Sequence, residues 1–316
     1  MAIITGTENN DTLVGFAADD VVTGLGGNDY MVLIGGGIGS GGEGNDEIRG
    51  VAAAVTLDGG AGNDSVIGST ASDSLSGGVG NDYMFGNLGS DTIDGGDGND
   101  TVIGGDTGSM LSGGIGDDVV VGGGGNDTIM GGTGSNWLVG GAGDDHFVWQ
   151  GGSDVFLGGE GFDTVDLSSS SAGLSINLLT TNVTDNLRFG SIEGIVTGSG
   201  DDNITGDGYN NLINGGSGDD VIDAFWGDDT LIGGAGDDML TGGGGADVFS
   251  FSGNFGNDVV TDFVAGYDKL MFTAGSVTAA NFTLVDGDLS FSDGTSTILF
   301  STAAWGFNFA TDVVFA

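Results

Sequence analysis

The chain repeats every nine residues, and no other feature restricts its possible folds as strongly. In "GGGGNDTIMGGTGSNWLVGGAGDDHFVW", residues 122–149, the pairs Gly122-Gly123, Gly131-Gly132 and Gly140-Gly141 mark the same point in successive units. Asp127, Asn136 and Asp145 come five residues after the first glycine of each pair, and Ile129, Leu138 and Phe147 two further on. With that first glycine as position 1, position 6 is an acid or its amide and position 8 is apolar.

The register runs unbroken from Gly41 to Asp166. Position 6 reads Asp46, Val55, Asp64, Asp73, Asp82, Asp91, Asp100, Ser109, Asp118, Asp127, Asn136, Asp145, Asp154 and Asp163. Position 8 is apolar throughout, from Ile48 and Leu57 to Phe156 and Val165, even where the acid is missing. An earlier array carries Asp11, Asp20 and Asp29, with Leu13, Val22 and Met31 at position 8. "LIGGGIGS", residues 33–40, is one residue short, so the register slips there. The repeat resumes at Thr197 with Asp202, Asn211, Asp220, Asp229, Asp238 and Asp247, and two looser units follow at Asp258 and Asp268. Four segments result: repeats over 1–166, a strand-rich connector over 167–196, repeats over 197–271, and a strand-rich cap over 272–316 that contains the chain's terminal decapeptide. In the connector, Leu174, Ile176 and Leu178 alternate with polar residues as a strand does.

Glycine supplies the positive-φ backbone that other residues resist. Positions 1–5 are therefore expected to turn, and positions 7–9 to form a short strand with position 8 pointing inward. Two units make one coil, and stacked coils set their strands in parallel sheets about 4.8 Å apart. Position-6 acids two units apart then become stacked neighbours, which is unfavourable without a cation between them. Calcium–oxygen bonds of about 2.3–2.6 Å suit that spacing, with glycine carbonyls completing a set of about 6–8 oxygens. Magnesium suits it less, with its shorter bonds and strict octahedron. One His and no Cys leave zinc and copper without ligands. Aspartate also favours turns on its own account, but that preference does not place acids in phase along the whole chain.

"GGEGNDEIR" (41–49), "GGAGNDSVI" (59–67) and "GGGGNDTIM" (122–130) fit the pattern G-G-x-G-x-D-x-U-x. On these motifs the chain resembles the RTX (repeats-in-toxin) family. The resemblance covers most of residues 6–271 and implies an all-β, right-handed parallel β-roll. It also implies several Ca²⁺ ions, held by the position-6 residues named above and by flanking glycine carbonyls. Val55 and Ser109 depart from the pattern, and Asn136 and Asn211 offer an amide oxygen in place of a carboxylate. The family leaves the cell by type I secretion on an uncleaved C-terminal signal. The ending "FNFATDVVFA", with Asp312 before Val313, Val314 and Phe315, is similar to that of some members. A chain unfolded at low cytosolic calcium and folded outside, where such modules bind at about 10⁻⁴–10⁻³ M, follows from the resemblance.

Composition excludes several partners. A formal charge of -43, with 46 acids against 3 Lys plus Arg, repels nucleic acid and anionic membranes. It also resists compaction, while the 38% hydrophobic content, regularly placed, is enough for a core. No apolar run spans a bilayer, and "MAIITGTENNDTLVG" has no signal-peptide pattern. The absence of Cys fits either side of the membrane.

No enzyme is expected. The repeats begin at Gly6, and there is no paired-His zinc helix and no G-x-S-x-G. His146 reads as an outward strand residue. Asp117-Asp118 and Asp144-Asp145 could pair as in a glycosidase, but the repeat already accounts for one member of each. Trp137 and Trp149 could stack on sugars, though packing between rungs is the commoner use. The expected function is a secreted structural or surface-assembly protein, S-layer-like or matrix-like, that self-associates. The alternatives are an accessory module binding cell-surface polysaccharide, and a small hydrolase with its site in 167–196 or 272–316. The pairs at positions 7 and 9 predict one apolar outer sheet, with Tyr83/Phe85, Val119/Val121 and Trp137/Val139, and one polar outer sheet, with Thr56/Asp58 and Thr92/Asp94.

Overall fold

The computed structural model describes residues 1–179, 186–273, 277–285, 288–300 and 306–315. Parts of the expected connector (180–185) and cap (274–276, 286–287, 301–305 and 316) lie outside the described residues. The chain forms two compact units: Met1–Thr164 with Asn186–Ser191, and Val165–Asp185 with Ile192–Ala316.

The first unit is a parallel β-roll. Its acid-poor sheet runs from Thr12–Gly15 and Tyr30–Leu33 through Tyr83–Asn87, Val119–Gly124 and Trp137–Ala142 to Val155–Glu160 and Arg188–Gly190, ten strands in all. The other sheet starts at Ile3–Thr5 and includes Val55–Ala61, Thr92–Asp97 and His146–Val148. Neighbouring strands pair in parallel eighteen residues apart, as in Met84↔Val102 and Ile93↔Leu111. Position 8 therefore stacks on position 8, and Ile48, Met84, Val102, Leu138 and Phe156 are fully buried between the sheets.

The strands run longer than the expected three residues. Thr92–Asp97 passes through Gly95 and Gly96 into the next unit, and Gly96↔Gly78 and Asp97↔Val79 remain paired. Gly96 bends the strand at φ +107 while the ladder continues, so the tight turn shrinks to positions 4–6. The register slip is absorbed at Gly36 and Gly37, both left-handed. There Gly39 takes the inward place between Val22 and Leu57, and Leu33, fully buried, fills the space.

The second unit repeats the plan. One sheet runs from Gly194–Val196 to Lys269–Phe272 and Val313–Phe315. The other has eight strands, starting at Ser175–Asn177, the strand expected around Ile176. It ends in two antiparallel pairings, Phe282–Val285 with Asp288–Ser292 and the latter with Thr297–Phe300. A phenylalanine cluster fills this end, with Phe272–Phe291 ring centres 4.9 Å apart and Phe263–Phe300 5.4 Å apart. A terminal rung would otherwise leave its apolar face in water. Asp312, in the terminal decapeptide, is fully buried. Its Oδ2 accepts from the Asn308 amide at 2.9 Å, and Lys269 Nζ lies 3.7 Å from its Oδ1.

Candidate metal centres

The position-6 side chains lie in turns at the edges of the rolls, and from Asp20 to Asp268 most of them use one oxygen to tie coil to coil. Oδ1 of Asp64 accepts the Asp46 amide at 2.7 Å, Oδ1 of Asp82 accepts that of Asp64 at 2.7 Å, and Oδ1 of Asp100 accepts that of Asp82 at 2.7 Å. In the second unit Asp220, Asp229 and Asp238 repeat the bond. It persists where the spacing lengthens to 20 and 21 residues, at Asp258 and Asp268.

The second oxygen separates the turns into two kinds. Oδ2 is buried and accepts no hydrogen bond in Asp29, Asp46, Asp64, Asp82, Asp91, Asp100, Asp118, Asp127, Asp145, Asp202, Asp220, Asp229, Asp238 and Asp258. A desolvated carboxylate oxygen left in this state is strongly unfavourable. In Asp11, Asp20, Asp73 and Asp268 the turn satisfies Oδ2 itself, through the amides of Thr7, Phe16 and Ala17, Ser69, and Val264 respectively. In Asn211 the Oδ1 takes the Asp207 amide in the same way.

Backbone conformation at position 2 accounts for the division. Gly42, Gly60, Gly78, Gly96, Gly114, Gly123, Gly141, Gly216 and Gly234 have positive φ, and so do the non-glycine residues Leu25, Asn87 and Phe225. Each precedes an unsatisfied Oδ2. Thr7, Phe16, Ser69, Asp207 and Val264 are not left-handed, and their amides reach the side-chain oxygen. Asp202 and Asp258 are exceptions: their Oδ2 atoms are unsatisfied although Gly198 and Asn254 are not left-handed.

The remaining positions differ in detail. Asp154 Oδ1 accepts both the amide and Nδ2 of Asn136, so Asn136 turns its nitrogen, not its oxygen, toward the place held elsewhere by Oδ2. Ser109 Oγ accepts the Asp91 amide at 3.1 Å and has no second oxygen to offer. Val55 keeps only its amide bond to Asp73 Oδ1. Asp163 and Asp247 accept the amides of Asp145 and Asp229. Asp262, unnoticed in the sequence because it falls outside the nine-residue phase, accepts the amides of Gly242 and Gly243.

The unsatisfied oxygens do not face empty protein. Asp64 Oδ2 and the carbonyl of Gly77, in the next coil, converge beside the α-carbon of Gly59, where a Cβ would strike both. Gly77 stands in the same relation to Asp82 and Gly95, and Gly215 to Asp220 and Gly233. Among the described residues no three His, Asp or Glu side chains converge, so a bound ion must draw part of its shell from these carbonyls. An oxygen-only set of carboxylate and carbonyls fits a hard cation of calcium's size.

Burial raises the carboxyl pKa at these places. Asp64 is pushed up to about 7, mainly by desolvation, with the Asp46 amide opposing and the charges of Asp82 and Asp46 adding. Asp127, Asp220 and Asp229 reach about 7 and Asp258 about 8, again through desolvation first. Asp20 goes the other way, held below the usual range by the amides of Ala17, Ala2 and Phe16. His146 is half-buried on its strand, and Trp137 is exposed.

Parallel coils with a repeating carboxylate-and-carbonyl turn define a calcium-binding β-roll. The family model for the RTX calcium-binding nonapeptide repeat matches residues 3–31, 40–75, 67–102, 76–111, 103–136, 112–147, 130–165, 196–224 and 223–260, and the chain belongs to that family. No curated relative matches the sequence. Among solved structures the chain is similar to the extracellular lipase LipA from Serratia marcescens, at 24% identity and a TM-score of 0.33. That match covers 66% of this chain and 40% of the lipase.

Proposed function

We propose that the protein is an extracellular scaffold that folds on calcium and assembles side by side through the apolar sheet of its first unit, as a surface layer or matrix component. Type I export of the metal-free chain fits this reading, because the buried carboxylates oppose folding until calcium is available. The observation that carries it is the charge of one face. At positions 7 and 9 of the ten-stranded sheet the only charged side chains are Glu47, Arg49 and Arg188. Glu47 is paired with Arg49 at 3.4 Å. On a chain of charge -43 this is where two copies can meet without setting acid against acid. Tyr30, Tyr83, Val119 and Trp137 are exposed there, and contiguous apolar surface of this kind is rarely left in water. Ten strands at about 4.8 Å give a face about 43 Å long, enough for a repetitive lateral contact.

The test is electron microscopy and light scattering of the purified protein with calcium. Ordered sheets or filaments are expected, and Val119→Glu plus Trp137→Glu should leave monomers with an unchanged circular dichroism spectrum. Monodisperse wild-type monomers in calcium at high concentration would remove the assembly reading.

A further inference from the structure

The two turn edges of the second unit are unlike each other. One carries the turns 197–202, 215–220, 233–238 and 253–258, where the single aromatic, Phe255, is buried. The other carries 206–211, 224–229, 242–247 and 263–268, where Tyr209 is 70% exposed, Phe225 40%, Trp226 60% and Tyr267 69%. Position-6 bonds stack these four turns in order, Asn211 to Asp229 to Asp247 to Asp268. Tyr209 and Tyr267 are therefore three rungs, about 14 Å, apart. Trp226 lies between them with its ring against Gly244, and Phe225 meets it edge-on at 6.4 Å.

The fold does not require these rings. Position 2 needs the left-handed backbone, which glycine supplies elsewhere without strain, yet Phe225 holds it at φ +78. The strained residue still leaves 40% of its surface exposed. Polar groups beside the rings are fixed in place. Asn210 Oδ1 accepts the Asp228 amide at 2.9 Å and Asp228 Oδ1 accepts the Ala246 amide at 2.9 Å, and both side chains are otherwise exposed to solvent.

We infer that this edge is a binding platform for a neutral polysaccharide. Flat exposed rings stack on the apolar faces of pyranose rings, and a positioned amide and carboxylate bond to hydroxyls. Rings on three of four stacked turns, with only glycines, Ala246 and Asp247 on the third, suit an extended polymer. These turns contain no Arg or Lys, and Asp207 and Asp228 stand beside the rings, so acidic glycans, nucleic acid and anionic lipid are repelled. A second copy docking on the same edge would set Asp228 against Asp228. The platform does not depend on assembly through the first unit.

The test is affinity electrophoresis of the calcium-loaded protein in gels containing soluble neutral glucans, mannan or galactan, with polygalacturonate as the acidic control. At least one neutral polymer is expected to retard the protein, and polygalacturonate is not. Trp226→Ala and Tyr209→Ala should each weaken that binding tenfold or more, while Phe162→Ala, which removes an exposed ring from the first unit, leaves it unchanged. Phe225→Gly separates platform from fold, raising the melting temperature while weakening binding. Circular dichroism in calcium accompanies each measurement. A folded wild type that no neutral polymer retards, or retardation unaffected by Trp226→Ala, overturns the proposal. A wild type that stays unfolded in calcium instead overturns the calcium reading on which the platform's geometry rests.

Discussion

Asp64 and Asp73 lie nine residues apart, on opposite edges of the first unit, and make the same bond to the neighbouring coil. The Asp64 amide donates to Asp82 Oδ1 at 2.7 Å and the Asp73 amide to Asp91 Oδ1 at 2.8 Å. Their outer oxygens have different fates. In "GGAGND" (59–64) Gly60 sits at φ +109 and Asp64 Oδ2 has no donor, whereas in "GSTASD" (68–73) the Ser69 amide donates to Asp73 Oδ2. In this pair one backbone torsion separates a turn complete in itself from one whose outer oxygen stays open. The position-6 acid ties the coils in both kinds of turn, and the conformation at position 2 separates most turns with a satisfied outer oxygen from those without.

The largest effect is expected at the glycine. Gly60→Val forces a β-branched residue into the left-handed region, at about 1–2 kcal/mol from the backbone alone. Its Cβ would also strike the Gly42 carbonyl. Loss of cooperative calcium-induced folding is expected by circular dichroism, whereas Ser69→Val, in the self-satisfied turn, should fold.

Removing charge tests the two carboxylates directly. Asp64→Asn is expected to lower the number of calcium ions bound, measured by isothermal titration calorimetry. Asp73→Asn should leave that number unchanged and cost about 1 kcal/mol for a weakened hydrogen bond.

Acidity acts on the open turns with opposite sign with and without metal. Burial raises Asp64, Asp127, Asp220 and Asp229 to about 7, above the value of 3.8 for an unburied carboxyl. In chelator their contribution favours the folded chain fully below about pH 4 and is lost as pH rises through about 7. Bound calcium keeps the same groups ionised, so in saturating calcium stability is lost as pH falls. The folded fraction in chelator and the melting temperature in calcium should therefore slope in opposite directions between pH 4 and pH 7. Parallel slopes would show that the carboxylates do not hold the metal.

The smallest expected effects are gains. Ser69→Gly allows the left-handed backbone beside Asp73, and Ser109→Asp adds a carboxylate where Gly105 already has φ +146. Each should add one weak calcium site, seen as an increased stoichiometry with little change in melting temperature.

Much of the fold was legible because the nine-residue phase is a direct record of stacking. The inward residues from Ile48 to Val165 and the edge positions of the acids follow from counting. The open or closed state of each turn was less legible, because it depends on φ at position 2. A glycine there is a good sign of an open turn and Thr7, Phe16, Ser69 and Val264 of a closed one, but Leu25, Asn87 and Phe225 adopt the glycine conformation against their own preference. Leu33 is hidden as core because it stands where glycine belongs, and Asp262 because the phase drifts before it. Strands exceed the three residues that the repeat predicts because the glycine pair bends the ladder without ending it.

The most direct measurement is a crystal structure of the calcium-loaded protein with the metal located by anomalous scattering. Calcium is expected beside Asp46, Asp64, Asp82 and Asp100, bonded to Oδ2 and to the first glycine carbonyl of the next coil, and none beside Asp11, Asp20, Asp73 and Asp268. Calcium at Asp73 with the occupancy found at Asp64, or none along the Asp46–Asp100 row, would contradict the account.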